Sequence, residues 1–424
     1  VNGSWPRGDL SGLEFPACPE ALRDGGVGFL RDAFRAWGVL GADNDVVGID
    51  RFEEIGGGST GRKVVLSVRY AVPQRGLHSE LFVKFSRDFD DVLRDVGRTQ
   101  MRSEVRFAAL AQTPGFPIAV PATQFADYHE ASGTGLLITE RILFGANGIE
   151  PHYPKCLDHR MPGQFEHYRA IVVALARLAG AHRAGRLPRG LVEQFSVDLG
   201  AATVGERPSR TPEQLDRRLI RLAAFVEAHP GLFPERVRTP QLIARLMPEG
   251  RAVTVAEPAI WRHLAATRDH IALCHWNANV DNAWFWRDEH GLRCGLMDWG
   301  CVSQMNVAMA LWGALSAAEA DLWSRHLGDL LRVFCEVVGD MGGPRLRPAA
   351  LHRHLALYAI LMGVTWLLDV PALIRARVPD LDARTTRADP HIECDEGVRA
   401  PLQMLVNVLN LWAGTDLDAA LRSL

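Results

Sequence analysis

The stretch Leu273-Cys-His-Trp-Asn-Ala-Asn-Val-Asp-Asn-Ala-Trp-Phe-Trp286 constrains this chain more than any other. It reads as a short apolar strand, a tight polar loop and a second apolar run. Further on, Leu296-Met-Asp-Trp-Gly300 closes another apolar run with a carboxylate and a glycine. Polar groups delivered by the ends of neighbouring strands suit the holding of a metal and a phosphate. His275, Asn277, Asp281, Asn282 and Asp298 are therefore the candidate site residues here. The same pattern has a plainer meaning, since Asx-rich loops also bond their own backbone. Zinc is a poor match, because His-Trp-Asn lacks the spaced histidines of a zinc site.

Upstream, Arg51-Phe-Glu-Glu-Ile55, the run Gly56–Gly61 and Lys63–Tyr70 predict a strand, a glycine-rich turn and a second strand. Such a tip, here Gly57, Gly58, Ser59 and Thr60, lets backbone N–H groups approach a phosphate, because glycine imposes no side-chain barrier. A flexible hairpin is the plainer reading. The Gly-Lys-Ser/Thr ending of a nucleotide-hydrolase phosphate loop is missing. Glu80–Phe85 is the next strand, with Lys84 set among apolar neighbours. A helix is expected over Thr99–Leu110, carrying Glu104. A strand lysine and a helix glutamate are the pair with which a kinase-like first lobe grips α- and β-phosphates. Glu53 and Glu54 compete with Glu104 for that role.

Taken in order, the glycine turn, Lys84, Glu104, the 273–286 loop and Asp298-Trp-Gly300 resemble the aminoglycoside phosphotransferase and choline kinase-like family, over about residues 50–315. The resemblance implies an α+β, two-lobed protein-kinase-like fold: a small antiparallel-sheet lobe with one main helix, and a larger mainly helical lobe. It divides the chain into an arm and helix (1–50), a nucleotide-binding sheet (51–145) and a helical lobe (146–424), with acceptor-shaping helices at 186–270. By the same resemblance, Asn282 and Asp298 are metal ligands and His275 braces the loop. The backbone of Glu140, Arg141 and Ile142 would face an adenine edge, and His182 is a core histidine beneath the loop. The implied activity is transfer of a nucleotide γ-phosphate, from ATP or GTP with Mg²⁺, to a small-molecule acceptor. The chain departs from the family at Asn277, where the pattern His-Gly-Asp-x-x-x-x-Asn has its catalytic Asp, and at Trp276, where it has Gly. An amide cannot take up a proton at neutral pH, which forfeits general-base help of about 10²- to 10⁴-fold. Either transfer proceeds by positioning, with Asp281 as a displaced carboxylate, or the acceptor is already ionised. The alternative is a silent nucleotide binder acting as a scaffold or sensor.

With 424 residues there is room for two lobes. A formal charge of −3 gives no basic field for nucleic acid. Seven scattered cysteines without a Cys-x-x-Cys pair argue for a reduced, cytoplasmic protein. No apolar run has the length of a membrane span. Helical spacing predicts helices over Gly28–Leu40, Phe165–Gly185, Pro212–Ala228, Thr239–Leu246 and Pro258–Ile271, with further helices after Gly300.

Overall fold

The computed structural model describes residues 5–57, 60–197, 199–200 and 208–424. They form two compact units: residues 1–147 with 187–195 and 295–302, and residues 148–186, 196–294 and 303–424. This is an α+β organisation, as expected, with a five-stranded antiparallel sheet in the smaller unit and mostly helices in the larger.

In the first unit, β1 (Val46–Ile55), β2 (Lys63–Tyr70), β3 (Glu80–Phe85), β4 (Thr123–His129) and β5 (Thr134–Glu140) pair in the order β1-β2-β3-β5-β4. Alternating strand residues send Val64, Leu66, Leu81, Val83, Phe125 and Ile138 to one face. That face packs on Phe15, Leu22, Leu30 and Phe34 of the N-terminal segment, all buried. The helix carrying three of these, α1 (Pro19–Ala36), starts nine residues before the expected Gly28. Pro19 supplies a preset first turn, and Gly26 at φ 52° absorbs the kink between its two halves. The arm before it is fastened by the buried carboxylate of Asp127, which accepts from the N–H groups of Leu10 (3.0 Å) and Ser11 (2.9 Å).

A short helix α2 (Val92–Val96) and a 3₁₀ turn over Gly97–Gln100 lead into α3 (Met101–Ala111). Met101, Val105 and Ala108 of α3 pack with Ala126, Tyr128 and Leu137.

In the rest of the chain come α4 (Gln164–Arg183), the single turn α5 (Arg189–Val192), α6 (Pro212–Ala228) and α7 (Pro240–Ala266). Where two helices were expected, α7 is one helix of 27 residues running through Pro248 and Pro258. Each proline forfeits one helical bond, but the buried stripe Leu242, Leu246, Val253, Ile260 and Leu264 holds the axis. Two ribbons follow, β6 (Ile271–His275) with β9 (Val302–Asn306), and β7 (Ala283–Asp288) with β8 (Gly291–Leu296). The chain closes with α8 (Val307–Leu315), α9 (Ala320–Asp340), α10 (Pro348–Met362), α11 (Val370–Arg377), α12 (Pro390–Glu393), α13 (Glu396–Ala413) and α14 (Leu417–Arg422). Among the described residues no single helix is long and apolar enough to cross a membrane.

Two stretches expected in the helical lobe, 187–195 and 295–302, belong to the first unit. Arg106 donates to the carbonyl of Gln194 at 3.0 Å, Leu296 N–H to that of Ala119 at 3.1 Å, and Trp299 stacks on Phe107. The Asp298 loop is thereby built onto the sheet-bearing unit.

Candidate active site

Lys84 lies in the middle of the first unit's polar centre. Its strand puts the side chain beside α3 and the 295–302 segment, where Nζ donates to Glu104 Oε1 and to Asp298 Oδ1, both at 2.7 Å. Glu104 is buried and Asp298 half-exposed. Burial opposes the ammonium charge, but Asp298 and Glu104 outweigh it, so the Lys84 pKa is raised. Glu104 is pushed the other way from most ion-paired carboxylates: burial raises its pKa, Lys84 opposes the rise, and Asp298 adds to it. The sequence ambiguity is resolved by geometry. Glu53 pairs with Arg51, and Glu54 with Arg62 at 2.6 Å, which leaves Glu104 as the partner of Lys84.

Asp298 adopts the left-handed region at φ 64° and ψ 63°, costly for a residue with a Cβ. Its position is held by Trp299, whose ring stacks on Phe107 at a centroid distance of 3.7 Å and whose Nε1 donates to the carbonyl of Leu296 at 3.0 Å. The Asp-Trp-Gly tryptophan is thus a wedge that fixes the carboxylate.

The glycine turn is pinned beside the same centre. Gly61 is at φ 54°, and a Cβ there would overlap the carbonyl oxygen of Phe85 at the end of β3. Lys63 stands opposite Lys84 in the β2–β3 register and donates to the carbonyls of Gly57 (2.8 Å) and Thr60 (3.3 Å). Its pKa is lowered, first by burial and then by Lys84 and Arg94. Sequence reading missed Lys63; its signal was the cross-strand position, visible only once the register is known. Gly58 and Ser59 lie outside the described residues. At the far end of β5, the N–H groups of Glu140 and Arg141 are spent on the carbonyls of Ala122 and Glu80, at 2.8 and 2.9 Å. Of the expected adenine-facing residues, Ile142 is the one beyond this pairing.

The second unit holds the 273–286 loop. His275 is buried, and its Nδ1 accepts from the N–H of Asn277 at 3.2 Å. The amide of Asn277 accepts from Asn279 Nδ2 at 2.9 Å, and its carbonyl from Asn282 Nδ2 at 2.8 Å. Asn282 therefore spends its NH₂ on the loop. Asp281 pairs with Lys155 at 3.3 Å, and its carbonyl meets His152 Nε2 at 3.0 Å. Burial raises the Asp281 pKa and Lys155 opposes the rise. Beneath the loop, His182 Nδ1 accepts from Leu273 N–H at 3.1 Å, and burial lowers its pKa to about 4. Trp276 is accommodated in the core: Nε1 donates to Tyr358 Oη at 2.8 Å. Its carbonyl oxygen lies where a Cβ at position 313 would stand, so glycine is required there.

Asp298 and Asn282, each taken by itself, offer a hard oxygen donor of the kind magnesium accepts. Among the described residues no three His, Cys, Asp or Glu side chains form a group that could hold a metal ion.

No family model and no curated protein matches the chain. Solved structures resemble it weakly. The GDP complex of wild-type aminoglycoside 2'-phosphotransferase-IIIa is 14% identical over 85% of this chain and 94% of its own, at a TM-score of 0.43. A choline/ethanolamine kinase family protein from Mesorhizobium loti is 15% identical over 84% and 92%, at 0.38. Choline kinase from Cryptosporidium parvum Iowa II is 12% identical over 92% and 99%, at 0.41. At these values the functional reading rests on side-chain geometry.

Proposed function

We propose that the chain is a phosphotransferase that moves the γ-phosphate of ATP or GTP to a small-molecule acceptor with Mg²⁺. The observation that carries this reading is the ammonium of Lys84 held between Glu104 and Asp298. A buried lysine fixed by a buried glutamate presents a positioned positive charge for phosphate oxygens. Gly57 and Thr60, with Gly58 and Ser59, would give backbone N–H groups to the phosphates, and Ile142 would meet the adenine edge beside Glu140. Asp298 and Asn282 are each proposed as a ligand to magnesium, which when bound would neutralise charge on the nucleotide phosphates. His275 keeps the loop in shape through Asn277 N–H.

Asn277 accepts from Asn279 and cannot serve as a base. Asp281 is tied to Lys155, so a role for it in proton removal requires that pair to open. Transfer then draws on positioning and charge stabilisation, or on an acceptor oxygen already ionised at pH 7. The same two observations favour the second reading, a silent nucleotide binder.

Calorimetry with ATP and GTP tests the common ground. Magnesium-dependent binding should be lost in Asp298→Asn and in Asn282→Ala taken singly. Unchanged binding in both overturns both readings. Nucleotide binding without γ-phosphate consumption over a broad metabolite panel would select the silent binder.

A further inference from the structure

Away from these residues, three arginines of the second unit converge on one carboxylate. Arg218 Nε donates to both oxygens of Asp369 at 2.9 and 3.0 Å, Arg221 Nη2 to Oδ1 at 2.7 Å, and Arg210 Nη2 to Oδ2 at 3.3 Å. Their roles differ. Arg210 is mostly buried and also donates to the carbonyls of Val364 (2.9 Å) and Thr365 (2.6 Å), so it anchors the π-helical turn Gly363–Leu367. Arg218 and Arg221 reach solvent, with side chains 29% and 32% exposed, and Asp369 is 48% exposed. Arg221 Nε is buried and has no hydrogen-bond partner among the described residues.

Asp369 occupies the N-cap of α11, where an aspartate ordinarily bonds the first N–H groups of its helix. Its side chain makes no such bond and turns to the guanidiniums instead. Two solvent-reaching guanidiniums share this single charge, and Arg375 of α11 adds a further cation over the Phe225 ring of α6, at 5.3 Å. A structural clamp between α6 and α11 needs one arginine for one carboxylate. Among the described residues Arg218 and Arg221 leave a positive excess over Asp369 with forked donors, the arrangement that matches a phosphate in charge and geometry. π-Helical turns also concentrate at functional sites.

We propose that the face built by α6, the π turn and the start of α11 binds a small phosphate dianion, free or as a monoester, and that Asp369 is the built-in occupant it displaces. Arg218 and Arg221 are the ligand-facing forks, and Arg210 holds the floor. The proposal is independent of the transferase reading, and no nucleotide enters its test.

Inorganic phosphate and methyl phosphate are titrated into the full chain at constant ionic strength, with sulfate as a second dianion. Asp369→Asn removes the competing charge and should tighten phosphate binding about tenfold. Arg221→Gln, and Arg218→Lys as a variant that keeps the charge but loses the fork, should each weaken it by a similar factor. Preference for methyl phosphate over free phosphate would identify an ester as the ligand, and the reverse would identify the free ion; either supports the site. Equal affinity in wild type, Asp369→Asn and Arg218→Lys overturns it, as does no saturable binding to Asp369→Asn.

Discussion

Lys84 and Asp298, 214 positions apart in the chain, meet at 2.7 Å, and Glu104 shares the same ammonium. One cation serves two carboxylates, one buried and one half-exposed, so its removal strands the buried one. Lys84→Met should destabilise the chain by about 3–5 kcal/mol at pH 7, the scale of breaking a buried pair from one side. The double variant Lys84→Met/Glu104→Gln should recover more than half of that loss, because the stranded charge is gone. Urea unfolding of the four proteins of this cycle checks it, and additive single effects would contradict the coupling.

Asn277 can be exchanged for the acid with little disturbance, since Asn279 Nδ2 donates to its side-chain oxygen and an aspartate accepts the same bond. Asn277→Asp should change stability by less than about 1 kcal/mol. If the native acceptor is a hydroxyl that lacks a base, the variant's transfer rate should rise by about 10²-fold. If the acceptor is an ionised oxygen, the added negative charge should slow transfer. A rate that moves in neither direction would place position 277 outside the acceptor's reach.

The pair formed by Lys155 and Asp281 sets a pH-dependent cost. Burial already holds the Asp281 pKa above that of an unfolded aspartate, and Lys155 is the group opposing that rise. Lys155→Met should therefore raise it further. A carboxyl with a raised folded pKa is tolerated below its unfolded value and becomes a burden as pH climbs through the folded one. The deficit of Lys155→Met relative to wild type should be large at pH 8 and shrink towards pH 5. Asp281→Asn in the same background should remove that pH dependence, measured by thermal unfolding at each pH.

Much of the small unit can be read from sequence because its signals are local. Lys84 stands out as a charge inside an apolar strand, and Asp298 as a carboxylate before Trp-Gly. The partners that complete the picture are not local. Lys63 matters through the register Lys63–Lys84, Lys155 through an ion pair far from it in sequence, and Asp127 through bonds to an arm more than a hundred residues earlier. None of these leaves a periodic trace. Helical spacing marks two separate runs within α7, because a local pattern cannot weigh the buried stripe that keeps one axis through Pro248 and Pro258. The grouping of 295–302 with the sheet-bearing unit leaves no local trace either: Phe107 and Ala119, distant in sequence, hold that segment.

Gly313 permits the close approach of α8 to the loop, because a Cβ there would overlap the carbonyl oxygen of Trp276. Backbone cannot yield as a flexible side chain does. Gly313→Ala should cost about 3 kcal/mol or more and displace the Trp276–Asn277 turn. Loss of the Trp276 Nε1 bond to Tyr358 should accompany it, read as a change in tryptophan fluorescence. Gly328→Ala at an exposed position of α9, where nothing stands within 4 Å of the new Cβ, is the control and should be neutral or stabilising.

Acid should act on a histidine trio beneath β6. His354 of α10 lies with its ring centroid 5.0 Å from that of His263 and 4.5 Å from that of His270. Asn306 Nδ2 donates to the carbonyl of Leu264 (3.0 Å) and to His354 Nδ1 (3.2 Å), which fixes Nδ1 as an acceptor. Burial pushes the His354 pKa down to about 3, with His270, His263 and Arg353 adding to the effect. Burial also lowers His270, where Asp269 opposes and His263 and Arg347 reinforce, and His263, where Arg353 reinforces. All three are held neutral in the fold and bind protons more readily when unfolded, so stability is full above the unfolded histidine pKa and falls below it. The unfolding free energy should be flat from this source above about pH 7 and decline from about pH 6.5 towards pH 3, each titrating group contributing at most about 1.4 kcal/mol per pH unit. His354→Gln keeps an acceptor for Asn306 and removes the titration, so its slope between pH 6 and 4 should be visibly shallower than that of wild type. An identical slope in the two proteins would mean that acid sensitivity arises elsewhere in the chain.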